Sequence, residues 1–371
     1  MECHGTVSLV VLVLVLLLRW PALSSASVPV SRTITVDSKG GGDFRSIQSA
    51  VNLVPDGNRE WVRIHVRAGR YRFVFYILGS STLLQDVVSK YGYDGTCGAC
   101  REKVTIPKEK GYILLEGEGH SNTEIYFDDH AHGSTDGLMR RGADAMQTYE
   151  TATFNVYAND FVARDITFTN TYNGVNKSRV TQALAAMVNG ERIAFHRCAF
   201  NGFEDTLCDN TGRHYFRECV IKGGVDFIFG YARSIYDGCT IVSNIPPRYG
   251  RRRAGWVTAH ARRQAGDPGG FVFKGGELRG TGRQYLGRAW NKYATVVYYH
   301  MNMSSVVVPQ GWAPWYAGNN TNDVMFAEVG CTGPGSNMAG RVPWEKHLTE
   351  AEVEKFVNMS FIDDGWLSKQ P

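Results

Sequence analysis

The sequence predicts an all-β chain, a single-domain right-handed parallel β-helix (solenoid) with short helices capping its ends, and three observations carry that prediction. Between residues 195 and 240 the chain repeats itself: Phe195-His-Arg-Cys198, Phe216-Arg-Glu-Cys219 and Tyr236-Asp-Gly-Cys239 set their cysteines 21 and 20 residues apart. A period near twenty with one strand pattern per repeat marks a solenoid, in which each coil covers the core of the next. Short alternating stretches, Val62-Arg-Ile64-His-Val66 and Ala163-Arg-Asp-Ile166-Thr-Phe168, suit β coils and lack the helices that leucine-rich or ankyrin repeats need. The 41 Gly, 18 Phe and 18 Tyr fit tight turns between aromatic-rich strands and argue against a helical bundle. With 43% hydrophobic and 20% charged residues, the 371-residue chain can bury a large core. Forty basic against 36 acidic side chains give +4, which excludes a nucleic-acid binder built on a dense basic patch but suits a loosely held polyanion.

Along the chain, the one long apolar run is Val7 to Leu18, twelve residues and too short for a bilayer core of about 30 Å. With small residues at Ala22, Ser24 and Ala26 it reads as a signal peptide over residues 1–26, although no Lys or Arg precedes it. Secretion follows, with no membrane attachment after cleavage. Asp43 is expected to N-cap a helix that sets Phe44, Ile47, Val51 and Val54 on one face. Thr349-Glu-Ala-Glu352 is a capping box leading into Val353 and Phe356. Both helices are expected to cover the open ends of the solenoid.

The repeat also has a chemical consequence. Asp205 and Asp226 each lie seven residues after their coil's cysteine, so they should be neighbours on adjacent coils, about 4.8 Å apart. Like charges that close raise one pKa, so that one carboxyl keeps its proton while the other is ionised, the division needed for an acid and a nucleophile. Capping turns after glycine is the alternative role for both.

Five ordered blocks then resemble the plant pectinesterases (pectin methylesterases) of the cell wall, from Ile34 to Trp366. They are Ala68-Gly-Arg-Tyr71, Gln182-Ala-Leu-Ala, Gly202-Phe-Glu-Asp-Thr-Leu207, Gly224-Val-Asp-Phe-Ile-Phe-Gly230 and Tyr285-Leu-Gly-Arg-Ala-Trp290. The resemblance implies a right-handed parallel β-helix over residues 33–368 that hydrolyses the methyl esters of homogalacturonan, with no metal and no cofactor. It implies Asp226 as nucleophile, Asp205 as general acid and then base, Arg288 pairing with the nucleophile, and Gln182 at the oxyanion. Arg288 is expected to keep Asp226 ionised well below neutral pH. Phe227, Trp290 and Trp312 are expected to contact sugar rings. A monomer is expected, with methyl-esterified homogalacturonan as substrate, a proteinaceous pectinesterase inhibitor as a further partner, and neither nucleic acid nor membrane. Many relatives carry an inhibitor-like N-terminal pro-region; here the leader is expected to lead straight to the catalytic domain, so that the enzyme is expected to be secreted without a fused inhibitor.

The chain departs from the family pattern twice. Where the family has Gln before the acid Asp, this chain has Glu204. A neutral amide donates to a developing oxyanion, whereas a carboxylate does so only when protonated. Glu204 therefore predicts a weak esterase unless its carboxyl is neutral, and makes a catalytically impaired pectin-binding homologue the alternative. The second departure separates Tyr71-Arg72 from Glu102-Lys103-Val104 by residues 73–101, whose borders can encode splice dinucleotides; the segment reads as a retained intron, with a surface loop as the alternative. It takes Cys97-Gly-Ala-Cys100 with it. Cys198, Cys219 and Cys239 are expected to stack at equivalent strand positions, buried and inert, and no disulfide is assigned.

No Gly-x-Ser-x-Gly elbow, His-Glu-x-x-His helix or phosphate loop is present. Asp128-Asp-His-Ala-His132 reads as a polar loop rather than a metal site. Asn176, Asn302, Asn319 and Asn358 head glycosylation tripeptides. Arg251-Arg-Arg253 and Arg262-Arg263 either guide polygalacturonate or form solvated loops. Polymer cleavage by a β-helix hydrolase or lyase would shorten the chain, whereas esterase action releases methanol and leaves its length unchanged.

Overall fold

Strands of two to six residues set at an angle to one another by short corners do not pair with their own neighbours in sequence, so each pairs with its counterpart one coil away. The computed structural model shows this as three parallel sheets of ten, eight and eight strands. It describes residues 28–71, 103–131, 143–174, 180–246 and 253–371. The leader 1–26, the segment 73–101 with its cysteines, Asn176, His132 and Arg251 lie outside the described residues.

One coil illustrates the path. Ile193–His196 belongs to the ten-stranded sheet, Ala199–Asn201 to one eight-stranded sheet and Leu207–Thr211 to the other, called here the site sheet. The chain then returns to the ten-stranded sheet at Arg213–Arg217. The corner at Gly212 explains itself: φ is 112°, and a Cβ there would stand 1.8 Å from the Gly190 carbonyl oxygen.

The repeat seen in the sequence is an aromatic ladder. Phe195 stacks on Phe216 at 5.1 Å, Phe216 on Tyr236 at 4.6 Å, Tyr236 on Phe273 and Phe273 on Tyr298, all inside the solenoid. Each such pair adds about 0.5–1.5 kcal/mol beyond area burial. Cys198, Cys219 and Cys239 are buried, as expected, but they sit at a corner rather than within strands. Each follows a residue of positive φ, namely Arg197 at 51°, Glu218 at 54° and Gly238 at 61°. Cys219 Sγ donates to the Phe195 carbonyl and Cys239 Sγ to that of Phe216, both at 3.4 Å. The five described cysteines are thiols, and burial pushes Cys198 and Cys219 up, which keeps them protonated.

Two end-helix expectations need correction. The first helix is Ile47–Leu53, and its N-cap is Ser46, whose side chain accepts from Ser49 N–H. Phe44 is drawn into a bridge with Val36, so the chain is still extended there, and Asp43 instead accepts from the Thr35 N–H at 2.7 Å. Ile47, Ala50 and Val51 do close the core at this end, beside Ile34 and Val36. The last helix, Glu350–Val357, has the expected capping box at Thr349 and Glu352. It covers a flank rather than an end: Val353 and Val357 pack on the apolar outer face of the ten-stranded sheet, against residues such as Tyr215 and Ile235. A sheet apolar on both faces must be covered outside as well as inside. A helix not anticipated from sequence, Ala143–Glu150, brings Tyr149 against the outer face of the site sheet.

Candidate active site

The site forms where two successive turns enter the site sheet. Leu207 pairs with Ile228 and Cys208 with Phe229, so Asp205 and Asp226, two residues before each, hold equivalent places on adjacent coils. Glu204 bridges Val225, and the Asp205 N–H donates to the Val225 carbonyl at 3.0 Å. The neighbourhood inferred from the 21-residue spacing is therefore present.

Both aspartates have left-handed backbones, φ 61° at Asp205 and 45° at Asp226. Such a conformation is costly for a non-glycine residue and persists only where the surrounding structure holds it. Its effect is visible in the next residues. Asp226 turns its carboxyl outward and Phe227 turns in, but Phe227 and Ile228, consecutive in sequence, both face the core, so alternation breaks between them. Phe227 is 0% exposed and cannot touch a sugar, contrary to expectation. Trp312 is corrected for the same reason: at 1% exposure it is a core residue, 4.5 Å from Phe326 and 5.8 Å from Tyr298. Trp290 is half-buried at the site, flanked by Phe229 at 5.9 Å, Tyr231 at 5.8 Å and Trp315 at 6.3 Å.

Arg288, from the strand Gln284–Ala289, grips Asp226 with two N–H groups: Nε donates to Oδ1 at 2.8 Å and Nη2 to Oδ2. Its guanidinium lies between two indoles, 4.1 Å from the Trp256 ring centroid and 3.6 Å from that of Trp315. The planar cation is thus fixed on both faces while its edge is spent on the carboxylate. Trp256 and Trp315 went unremarked in the sequence. Trp256 could have been found from its place in an alternating strand, Trp256-Val-Thr-Ala-His, once that strand is registered against Val225 and Tyr285. Trp315 follows no periodicity, because it sits in a short 3-10 turn, Trp315–Ala317.

The carboxyls differ in state. Burial raises Asp205 well above the usual carboxylate range, and the nearby Glu204 and Asp226 add to that rise against the opposing pull of Arg288. Burial also raises Asp226, more than Arg288 lowers it by charge and hydrogen bonding. The guanidinium therefore offsets only part of the desolvation. Glu204 is pushed up to about 7 by burial and by Asp226, again opposed by Arg288. Its Oε1 accepts from the Gln182 amide at 3.1 Å, and Thr181 Oγ1 donates to Gln182 Oε1 at 3.2 Å.

The basic and metal-like motifs fall elsewhere. Arg262 donates to Thr295 Oγ1, and Arg263 donates to the Tyr231 hydroxyl at 2.7 Å, which places Arg263 beside the Trp290 wall. Asp129 pairs with Lys103, and His130 stacks on Tyr172 at 3.6 Å. Among the described residues no group of three or more His, Cys, Asp or Glu is arranged to hold a metal ion.

Known proteins share this sequence pattern and this fold. The family model described as Pectinesterase matches residues 94–365. Pectinesterase QRT1 of Arabidopsis thaliana is 36% identical over 341 residues, spanning 91% of this chain and 79% of the relative. The solved pectin methylesterase from carrot superposes with a TM-score of 0.74 at 28% identity, covering 93% of this chain and 98% of the other. The Erwinia chrysanthemi enzyme PemA, 21% identical, shares the fold with a TM-score of 0.70 over 92% of this chain and 99% of its own. The chain belongs to the pectinesterase family and is a carboxylic ester hydrolase.

Proposed function

We propose that this protein removes methyl esters from homogalacturonan in the plant cell wall, releasing methanol and pectate, through an acyl-enzyme on Asp226. The observation that carries this reading is the asymmetry of the two aspartates: Asp226 is held in a bidentate grip by Arg288, whereas Asp205, one coil earlier in register, makes no side-chain hydrogen bond to the described residues and is raised by burial. An ionised Asp226 oxygen attacks the ester carbonyl carbon. The tetrahedral oxyanion forms at the edge where Gln182 and Glu204 lie. As the carbonyl reforms, the C–O bond to the methoxy group breaks and Asp205 gives its proton to the leaving methanol. Asp205, now ionised, takes a proton from water, whose oxygen attacks the acyl carbon; the anhydride opens, Asp226 leaves as a carboxylate and both residues regain their starting forms.

Trp290, with the exposed Tyr316 next to Trp315, offers the ring faces on which sugars stack. Secretion through the leader, action as a monomer and control by a proteinaceous pectinesterase inhibitor complete the proposal. No helix among the described residues is long and apolar enough to cross a membrane. A catalytically impaired pectin-binding homologue is the alternative, and one contact favours it: Glu204 occupies the amide of Gln182.

The test is methanol release from highly methylated pectin by the mature protein without residues 73–101, with Asp226→Ala as the blank. Release that disappears in the variant supports the esterase; no release from a folded, pectin-binding protein selects the impaired homologue. Shortened chains or unsaturated ends would instead mean polymer cleavage.

A further inference from the structure

Several N–H donors around the two carboxyls are already engaged. Arg288 spends Nε and Nη2 on Asp226 and both of its faces on Trp256 and Trp315. The Asp205 N–H is spent on the Val225 carbonyl and the Ala183 N–H on the Glu204 carbonyl. The Gln182 side-chain amide, the group expected at the oxyanion, is given to Glu204 Oε1 at 3.1 Å.

The consequence depends on the charge of Glu204. As a carboxylate it is acceptor-only, and a charge-assisted bond from an amide is roughly twice as strong as a neutral one. It then keeps Gln182 to itself and sets a negative charge where negative charge must develop. As a carboxylic acid it holds Gln182 weakly and has an O–H to donate.

Resting on the esterase reading above, we infer that Glu204 gates the oxyanion site: ionised, it sequesters the Gln182 amide; protonated, it releases that amide and donates its own O–H to the tetrahedral intermediate. One proton thereby changes two donors. The charged and titratable groups facing Glu204 among the described residues are Asp205 in its own turn, Asp226 in the next coil and Arg288 two coils beyond that; Tyr149 and Cys208 lie near Asp205. Burial first and then the Asp226 carboxyl favour the protonated form and Arg288 opposes it, with Glu204 pushed up to about 7 as the result.

The experiment compares kcat and KM for methanol release from highly methylated pectin between pH 5 and 9 in the wild type, Glu204→Gln and Glu204→Ala, with Asp226→Ala as the blank. The wild type should lose kcat about tenfold per pH unit on the alkaline side of Glu204 titration, with KM little changed. Glu204→Gln, which donates at every pH, should hold kcat level over the same range and match the wild type within a few-fold at pH 5. Glu204→Ala frees Gln182 without adding a donor and should be equally level but slower. A wild type that stays silent even at pH 5 and is switched on by Glu204→Gln overturns the gate, since the protonated carboxyl then fails to donate, while supporting the esterase reading. An alkaline limb that persists in Glu204→Gln overturns the gate while leaving the esterase intact, as does loss of activity at every pH in that variant. Silence in wild type and Glu204→Gln alike overturns the esterase reading and the gate with it.

Discussion

Two buried aspartates four residues apart do opposite things. Asp209, inside the solenoid at 0% exposure, has both carboxyl oxygens committed: Tyr236 donates its hydroxyl to Oδ2 at 2.7 Å, and His214 Nδ1 meets Oδ1. His214 Nε2 in turn faces the Gly190 carbonyl at 2.8 Å; a carbonyl only accepts, so that nitrogen carries hydrogen. Asp205, at 6% exposure, has only its backbone committed. The difference teaches how one strand serves both architecture and chemistry. A buried acid whose oxygens are all satisfied pins three strands together, whereas one left unsatisfied keeps its proton and has it to give away.

The contrast can be broken from either side. The largest effect is expected from Asp226→Ala, which should cut methanol release on the order of ten-thousandfold or more while leaving thermal unfolding nearly unchanged. Equal loss of melting temperature and activity would mean that Asp226 is structural. Asp209→Ala should do the reverse. Removing one partner of a fully buried pair costs about 3–5 kcal/mol, read as a lower denaturation midpoint, while kcat per folded molecule stays near wild type. Arg288→Lys keeps the charge but loses the bidentate edge and the planar fit between two indoles, and should lower kcat roughly tenfold to a hundredfold.

The smallest effect sharpens the comparison through pH. A carboxyl raised in the folded state binds a proton there that the unfolded chain has already released. Between its ordinary value near 4.5 and about 7, Glu204 therefore makes stability fall as pH rises, and the loss is complete above about 7. Glu204→Gln should flatten that fall, by on the order of 1 kcal/mol once discounted for the water that reaches the side chain. Parallel melting curves for wild type and variant from pH 5 to 8 would contradict it.

The register of Asp205 and Asp226 was legible because a repeat of 21 residues, with aromatic and cysteine positions marking each coil, leaves one pairing that buries the apolar set. The helix start at Asp43 was misplaced because the Phe44 bridge to Val36 is a non-local contact. Phe227 and Trp312 were expected at the sugar on the family resemblance, Phe227 because it adjoins Asp226, but both side chains turn into the core, and sequence adjacency to a site residue does not say which face a side chain takes.

By itself, then, the sequence determined the solenoid, the coil length and the pairing of two carboxyls, since all three follow from short-range periodicity and the strand spacing. The tertiary structure decided what those carboxyls are. Arg288, 62 residues beyond Asp226, and the indoles of Trp256 and Trp315 reach the site only through the stacking of successive coils. Burial and long-range charge set protonation, and neither quantity exists until distant segments close over the site.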